Sequence, residues 1–113
     1  MSGLSVVPQQ GEVWWAEGLD KRRPVLVLTR DSALEVLTGV TIAPLTSTIR
    51  HIPTEVVLTP AEDGVLTESA VNLDNLQTVP KANVGGLLAV LSPDKMDDVE
   101  RALCFALGID YLF

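Results

Sequence analysis

Six short apolar runs, separated by turn-forming residues, occupy much of this 113-residue chain. In order they are GEVWWAE from Gly11, PVLVLT from Pro24, TGVTIAPLT from Thr38, TEVVLT from Thr54, SAVNL from Ser69 and LLAVL from Leu87. Runs of this length and composition are typical of β-strands. Six strands on so short a chain predict one mainly β domain over residues 1–113, built as a small barrel or a strongly bent sheet.

The runs differ in how apolar they are, and this difference indicates their places in the sheet. PVLVLT and VTIAPL are apolar almost throughout, as expected of central strands that are covered on both faces. TEVVLT is flanked by polar residues, so we expect it nearer an edge.

One helix is predicted near the C-terminal end. Ser92 is a good N-cap, Pro93 suits the first helical position, and Gly108 provides a natural stop. Between them, apolar residues at helical spacing form a face that should pack on the sheet: Met96, Val99, Leu103, Ala106 and Leu107.

The opposite face of this helix is less polar than a solvated surface would be. It carries Cys104 and Phe105, and the tail that follows adds Tyr111, Leu112 and Phe113. Partial exposure of a few apolar groups is common in monomers. A second subunit would also cover them, so a homodimer is the sharper prediction.

The charge of the chain is divided unevenly. The net charge is −7, yet residues 1–51 hold five Lys/Arg against five Asp/Glu, whereas residues 52–113 hold three against ten. The acidic total argues against nucleic-acid binding through general positive charge. Because residues 1–51 are neutral overall and residues 52–113 are strongly acidic, an anionic ligand should dock on the first half of the chain.

Several classes of protein are excluded by what the sequence lacks. No apolar run is long enough to span a bilayer and the first residues do not resemble a secretory signal, so we expect a cytoplasmic protein without membrane contact. Cys104 is the only cysteine, which excludes an internal disulfide and the usual zinc sites. Phosphate-binding glycine loops, calcium loops and HExxH motifs do not occur. We expect neither a metal nor a cofactor.

The first candidate for chemistry is KRRPVLVLT, where three cations precede a buried strand. Lys21 and Arg22 are explained more simply as parts of a polar turn. Arg23 differs, because Pro24 and the strand after it hold its backbone rigidly. A fixed guanidinium can grip a phosphodiester with two hydrogen bonds and stabilise the charge that develops on it.

The second candidate is the end of the third run, TIAPLTSTIR, followed by His51. Thr46 is the hydroxyl expected to project from the last strand position, with Arg50 close behind. Ser47 and Thr48 are more often turn residues that bond their own backbone.

The third candidate is SAVNLDNLQTVP, in which polar and apolar residues alternate. Asn72, Asp74, Asn75 and Gln77 are its polar side chains, several of which should emerge on one side of a strand. Structural hydrogen bonding would explain them, yet asparagine and glutamine also read base edges.

Taken in order, GEVWWAE, KRRPVLVLT, APLTS, SAVNLDNLQT and a closing helix that ends in ALGI resemble the MazF/PemK-type toxin endoribonucleases of type II toxin–antitoxin systems. The resemblance covers about residues 11–109. It implies a small SH3-like (CcdB/PemK-type) barrel with a C-terminal α-helix. It also implies a homodimer that cuts single-stranded RNA without a metal or cofactor and is neutralised by the C-terminal segment of a MazE-like antitoxin.

The resemblance also assigns residues. Arg23 and Thr46 match the family's catalytic arginine and threonine, and Asp74 matches an acidic position that serves catalysis or RNA contact in some members. The position that is arginine in some relatives is Asn72 here, so a general-acid arginine is not carried over. The loop GLDKR, between the first two predicted strands, is shorter than the corresponding loop in most members of the family. The remaining RNA-binding candidates are Lys21, Arg22, Ser47, Arg50, His51, Asn72, Asn75 and Gln77.

The chemistry of RNA agrees with this assignment. RNA supplies its own 2′-OH nucleophile, so an enzyme that aligns this group and stabilises the phosphorane needs no cofactor. Proton transfer is left open, because neither an arginine nor a threonine is a good base near neutral pH. His51 and Asp74 are the two candidates for assisting proton transfer.

Two other functions compete with this one. A CcdB-like poison of DNA gyrase would share the barrel without an active site, but Arg23 and Thr46 in their matching contexts argue against it. An inactive SH3-like interaction module is favoured only by the acidic net charge.

Overall fold

The computed structural model describes residues 7–110. Its strands are β1 (Glu12–Ala16), β2 (Arg23–Val27), β3 (Gly39–Thr46), β4 (Glu55–Leu58), β5 (Ser69–Asn72), β6 (Gln77–Pro80) and β7 (Val84–Val90). The helices are α1 (Asp31–Leu34), α2 (Pro60–Asp63) and α3 (Pro93–Leu107), and a 3₁₀ turn spans Lys81–Asn83. The six predicted strands are confirmed.

All pairings between these strands are antiparallel, in the order β4-β5-β3-β2-β1-β7, with β6 paired to β3 beside this path. Shifts of register between β1 and β7, on either side of Trp14, bend the sheet at this end. Within the described residues, β4 and β7 end the path and the sheet stays open. The SH3-like architecture is thus confirmed as a mainly β fold whose barrel does not close.

The places predicted for individual strands are also confirmed. β2 and β3 lie in the middle of the order, and β4 lies at one end.

β6 was missed, because QTVP offers only Val79 as a buried apolar residue and ends in a proline. It pairs with the first half of β3, while β5 pairs with Leu45 and Thr46 at the other end.

The predicted alternation over SAVNLDNLQTVP is wrong in one respect. β5 ends at Asn72, and a turn separates it from β6. The Asn72 side chain makes this turn by accepting a hydrogen bond from the backbone N–H of Asp74 at 3.1 Å. Asp74 and Asn75 are therefore exposed turn residues and do not emerge from the face of a strand.

Two apolar clusters lie on opposite faces of the sheet, as the alternation of side chains along β1 requires. Val13 and Leu26 belong to one cluster, which Val99 and Ala102 of α3 cover. Trp14 and Val25 belong to the other. The residues near the ends of these strands are thereby held on a rigid frame.

Helix α3 begins and ends where predicted. The Ser92 hydroxyl accepts a hydrogen bond from the backbone N–H of Lys95 at 3.1 Å, and Gly108 ends the helix with a φ of 69°. Leu107 was wrongly placed on the packed face, since its side chain is 54% exposed. Phe105 is 64% exposed. The predicted contributions of Tyr111, Leu112 and Phe113 lie outside the described residues.

Between residues 7 and 110, no helix has the length and apolar character needed to cross a membrane.

Candidate active site

The pairing of β2 with β3 brings together two residues that are 23 positions apart in the sequence. Val25 lies opposite Pro44, Leu26 opposite Ala43 and Val27 opposite Ile42. This antiparallel pairing brings the start of β2 close to the end of β3. Arg23 is the first residue of β2 and Thr46 the last of β3, so both side chains leave from strand ends.

Both residues line a cleft of about 550 Å³ at this end of the sheet. Its polar lining consists of Lys21, Arg22, Arg23, Thr46, Ser47, Thr48, Thr67 and Ser69. Its apolar lining consists of Trp15, Pro24, Leu45, Val65, Leu66 and Leu88. A surface with three cations, several hydroxyls and an apolar wall suits a ligand that carries both negative charge and flat apolar groups.

The Arg23 guanidinium is held at one end and free at another. Its Nη2 donates to Asp20 Oδ2 at 2.7 Å, and the side chain is only 19% exposed. Its Nε is buried and, in the part of the chain that the structure describes, has no hydrogen-bond partner. A buried donor without a partner is costly to the folded state.

The Thr46 hydroxyl is fixed by the turn that follows β3. Its Oγ1 accepts a hydrogen bond from the backbone N–H of Thr48 at 3.1 Å. Thr46, which was predicted to project from the strand, thus also forms a turn hydrogen bond with the backbone. Ser47 and Thr48 had been expected to make the side-chain bonds of this turn. Because Oγ1 acts as an acceptor in this bond, its own proton remains available for a ligand oxygen.

Arg22 is held against an aromatic ring. Its guanidinium carbon lies 4.3 Å from the centre of the Trp15 ring, and its Nε lies 2.8 Å from Glu17 Oε2. Lys21 is exposed at the rim of the cleft. The predicted cations of KRRPVLVLT therefore lie together on the cleft, where an anion would meet them.

Arg50 and His51 do not line the cleft. Both the backbone N–H and the Nε of Arg50 donate to Glu55, at 2.9 and 3.0 Å, and the Glu55 side chain is fully buried. His51 is exposed, with a φ of 54° that places it in the left-handed region. Arg50 thus serves the start of β4, which leaves it less free to bind a ligand.

The polar residues around the turn after β5 also lie outside the cleft lining. Asp74 Oδ2 accepts a hydrogen bond from the Thr54 hydroxyl at 2.6 Å. Asn72 is engaged in the turn, Asn75 is exposed, and Gln77 pairs with Ile42 in the sheet. The structure does not bring these four residues together with Arg23 and Thr46, and their functional roles stay predictions.

Sequence reasoning missed Trp15 and the loop around Val65, Leu66 and Thr67. GEVWWAE was interpreted only as a strand. Neighbouring residues of a strand point to opposite faces, so two consecutive tryptophans could not both enter the same apolar cluster. That spacing was the available signal for Trp15, whereas the loop carries no comparable signal.

No group of three or more His, Cys, Asp or Glu side chains arranged to hold a metal ion occurs among residues 7–110.

Comparison with known proteins gives a consistent result. Residues 9–107 match the model of a family described as PemK-like, MazF-like toxin of type II toxin–antitoxin system. The chain is 42% identical over 107 residues to the probable endoribonuclease MazF5 of Mycobacterium tuberculosis, covering 94% of each protein.

Two solved structures are similar throughout. The M. tuberculosis toxin MazF-mt6 has a TM-score of 0.82 and 37% identity, covering 88% of this chain and 99% of that one. An endoribonuclease in complex with its cognate antitoxin, from a mycobacterial species, has a TM-score of 0.82 and 29% identity, covering 92% and 98%.

Proposed function

The chain belongs to the PemK-like, MazF-like family of type II toxin–antitoxin toxins, and from this membership we propose that it cuts single-stranded RNA at specific sequences, with Arg23 and Thr46 as catalytic residues. It is an endoribonuclease of the MazF kind, as its relatives are named. The observation that supports the catalytic pair is that both side chains line one basic cleft from opposed strand ends. A CcdB-like gyrase poison is not favoured by the family match.

The cleft suits a reaction in which RNA attacks itself. The 2′-oxygen of one nucleotide forms a bond to the phosphorus, and the bond from phosphorus to the next 5′-oxygen breaks. The 2′-OH loses a proton and the departing 5′-oxygen gains one. Arg23 donates hydrogen bonds to the non-bridging oxygens as their charge grows, and the Thr46 hydroxyl donates a hydrogen bond to the same oxygens.

Other residues have supporting roles in this proposal. Lys21, Arg22 and Ser47 bind phosphates along the cleft. Asp74 and His51 are the candidates for proton transfer, and Arg50, Asn72, Asn75 and Gln77 for RNA contact outside the cleft. No step requires a metal ion or a cofactor.

The test is to incubate the purified protein with a long, weakly structured RNA and to map every cut. We expect cuts within one short recurring sequence, and cleavage at least about 100-fold slower from Arg23→Ala protein prepared in the same way. Uncut RNA together with inhibition of gyrase would support the CcdB-like alternative. Uncut RNA without any effect on gyrase would favour an interaction module.

An antitoxin is part of the same proposal, since a toxin must be neutralised in the cell that makes it. One similar structure is described as an endoribonuclease with its cognate antitoxin. For this chain we propose an acidic, MazE-like C-terminal segment that folds over the Arg23 and Arg50 region and competes with RNA. We place both proteins in the cytoplasm, where RNA is translated.

A homodimer is expected through the end of α3. Phe105, Leu107 and Ile109 are all more than half exposed there. Phe105→Glu should therefore halve the mass measured by light scattering at micromolar concentration, from two chains to one. Val36→Glu, at another exposed apolar residue, should leave the dimer intact. A wild-type protein that is monomeric under these conditions would refute the interface.

Asp20 is expected to compete with RNA for Arg23. Its carboxylate is largely exposed and lies 2.7 Å from Nη2, in a pair of the kind that contributes about 0–1 kcal/mol. Asp20→Asn should therefore tighten RNA binding by only about two- to fivefold, seen as a lower KM at unchanged kcat. Glu100→Gln, an equal change of charge on exposed α3, is the control. A weaker affinity in Asp20→Asn would mean that Asp20 instead holds Arg23 in its working position.

A further inference from the structure

The two consecutive tryptophans of β1 have different environments. Trp14 is 4% exposed, packs in an apolar cluster and donates its indole N–H to Glu12 at 2.9 Å. Trp15 points to the other side of the strand, is half-buried and lines the cleft that contains Arg23. The core therefore explains Trp14 but not the choice of a tryptophan at position 15.

The backbone beside Trp15 lets one edge of its ring pack closely against a glycine. Trp15 lies opposite Gly85 in the pairing of β1 with β7. A Cβ at the adjacent Gly86 would lie only 3.3 Å from the indole Cδ1. The glycines thus make the space that the indole itself occupies at the border of the cleft, and a larger residue at position 86 would have to displace the ring.

The ring carries a cation that another ligand can replace. Arg22 lies over it at 4.3 Å, and its side chain is about half exposed. A cation–π contact at such an exposed site contributes about 0.5–1 kcal/mol. Stacking of a nucleobase on an aromatic side chain contributes about 1–3 kcal/mol. A base can therefore displace Arg22 from the ring, which frees the guanidinium for a phosphate.

We propose that the Trp15 indole is the stacking platform for one unpaired base of the substrate, beside the phosphate bound by Arg23. The inference rests on the proposed RNA cleavage and adds a subsite to it. Arg22 covers the ring in the free protein and binds an adjacent phosphate when the base arrives. Recognition through stacking accepts any base, so this subsite contributes affinity and position more than sequence preference.

The test measures binding separately from cleavage. It uses Arg23→Ala protein, which should not cut, and an RNA oligonucleotide of the mapped sequence. A Trp14→Phe change leaves Trp15 as the only tryptophan, because the chain has two. Saturating oligonucleotide should quench the fluorescence of Trp15. Unchanged emission on saturation would overturn the inference and would mean that the indole faces a protein partner or serves only folding.

Substitution should then locate the base. Trp15→Ala is expected to weaken binding by about 5- to 150-fold, the fold-change equivalent to one stacked base. Trp15→Phe should retain most of the affinity and Trp15→Leu should not, since leucine is apolar without a flat ring. Leu87→Ala, an exposed apolar residue of β7 outside the cleft lining, is the matched control.

A series of oligonucleotides, each lacking one base, tests whether the effect of base removal depends on Trp15. Removal of one base should cost affinity with Trp15 present and cost nothing further in Trp15→Ala. Equal additional losses at every position would overturn the platform, even if RNA is cut as proposed. Loss of cleavage in Arg23→Ala with normal quenching of Trp15 would support both assignments, and wild-type cleavage rates in folded Arg23→Ala protein would refute the catalytic proposal alone.

Discussion

Arg23→Ala is expected to lower RNA cleavage at least about 100-fold, the usual loss when one donor that stabilises a transition state is removed. The guanidinium lines the same cleft as Thr46. Both side chains therefore carry donors where a phosphate would bind. Thr46→Ala should cause a loss of similar size by removing the second donor.

The fold should survive both changes, because neither residue belongs to the apolar clusters. Arg23→Lys keeps the charge but loses the planar fork, so it should recover only a small part of the activity. Thr46→Ser keeps the hydroxyl and should recover most of it. Single-turnover cleavage, with circular dichroism to verify folding, measures these differences. Wild-type rates in a folded Arg23→Ala protein would sink the catalytic assignment.

The second large effect concerns the substrate. Replacing the 2′-OH of the nucleotide immediately 5′ of the cut with hydrogen should abolish cleavage at that bond, because the nucleophile is gone. Binding should persist, since Arg23 contacts the phosphate, which is unchanged. The upstream product should end in a 2′,3′-cyclic phosphate or the 3′-phosphate formed from it, and the downstream product should begin with a 5′-OH.

EDTA separates this mechanism from the main alternative. Cleavage that proceeds through Arg23 and Thr46 should be unaffected by the chelator. A metal-dependent nuclease would tolerate the deoxy substitution, lose activity in EDTA and leave a 5′-phosphate. That second pattern, read from end-labelled products, would discard the mechanism while keeping RNA as the substrate.

The sequence predicted the strands and the helix that local residue patterns are enough to identify. Apolar runs bounded by turns identified six strands, and the cap formed by Ser92 and Pro93 identified α3. β6 could not be found in this way, because its pairing with Gly39–Ile42 of β3 is a long-range effect. Whether a bent sheet closes into a barrel likewise depends on the register between distant strands.

In the candidate site too, some features follow from local sequence and others from contacts between distant residues. Arg23 and Thr46 could be picked out because each sits at the end of a buried strand. Arg50 and Asp74 looked equally available, yet their contacts with Glu55 and Thr54 depend on how separate loops meet in space. Trp15 was missed for the opposite reason, since an aromatic residue in a strand is ordinarily assigned to the core.

The short loop between β1 and β2 gives the free protein its own substitute for a substrate. Glu17 and Asp20 each hold one arginine of the cleft, at 2.8 and 2.7 Å. RNA binding as proposed here would exchange two carboxylates for two phosphates, and would not fill an empty positive site. A lone phosphate or a free nucleotide replaces one carboxylate at a time, and each exchange is a separate bimolecular event. In a polymer the second phosphate is tethered to the first, so its exchange is intramolecular and favoured by the high local concentration. We therefore expect the two ion pairs of this loop to favour a polynucleotide over the small anions of a cell.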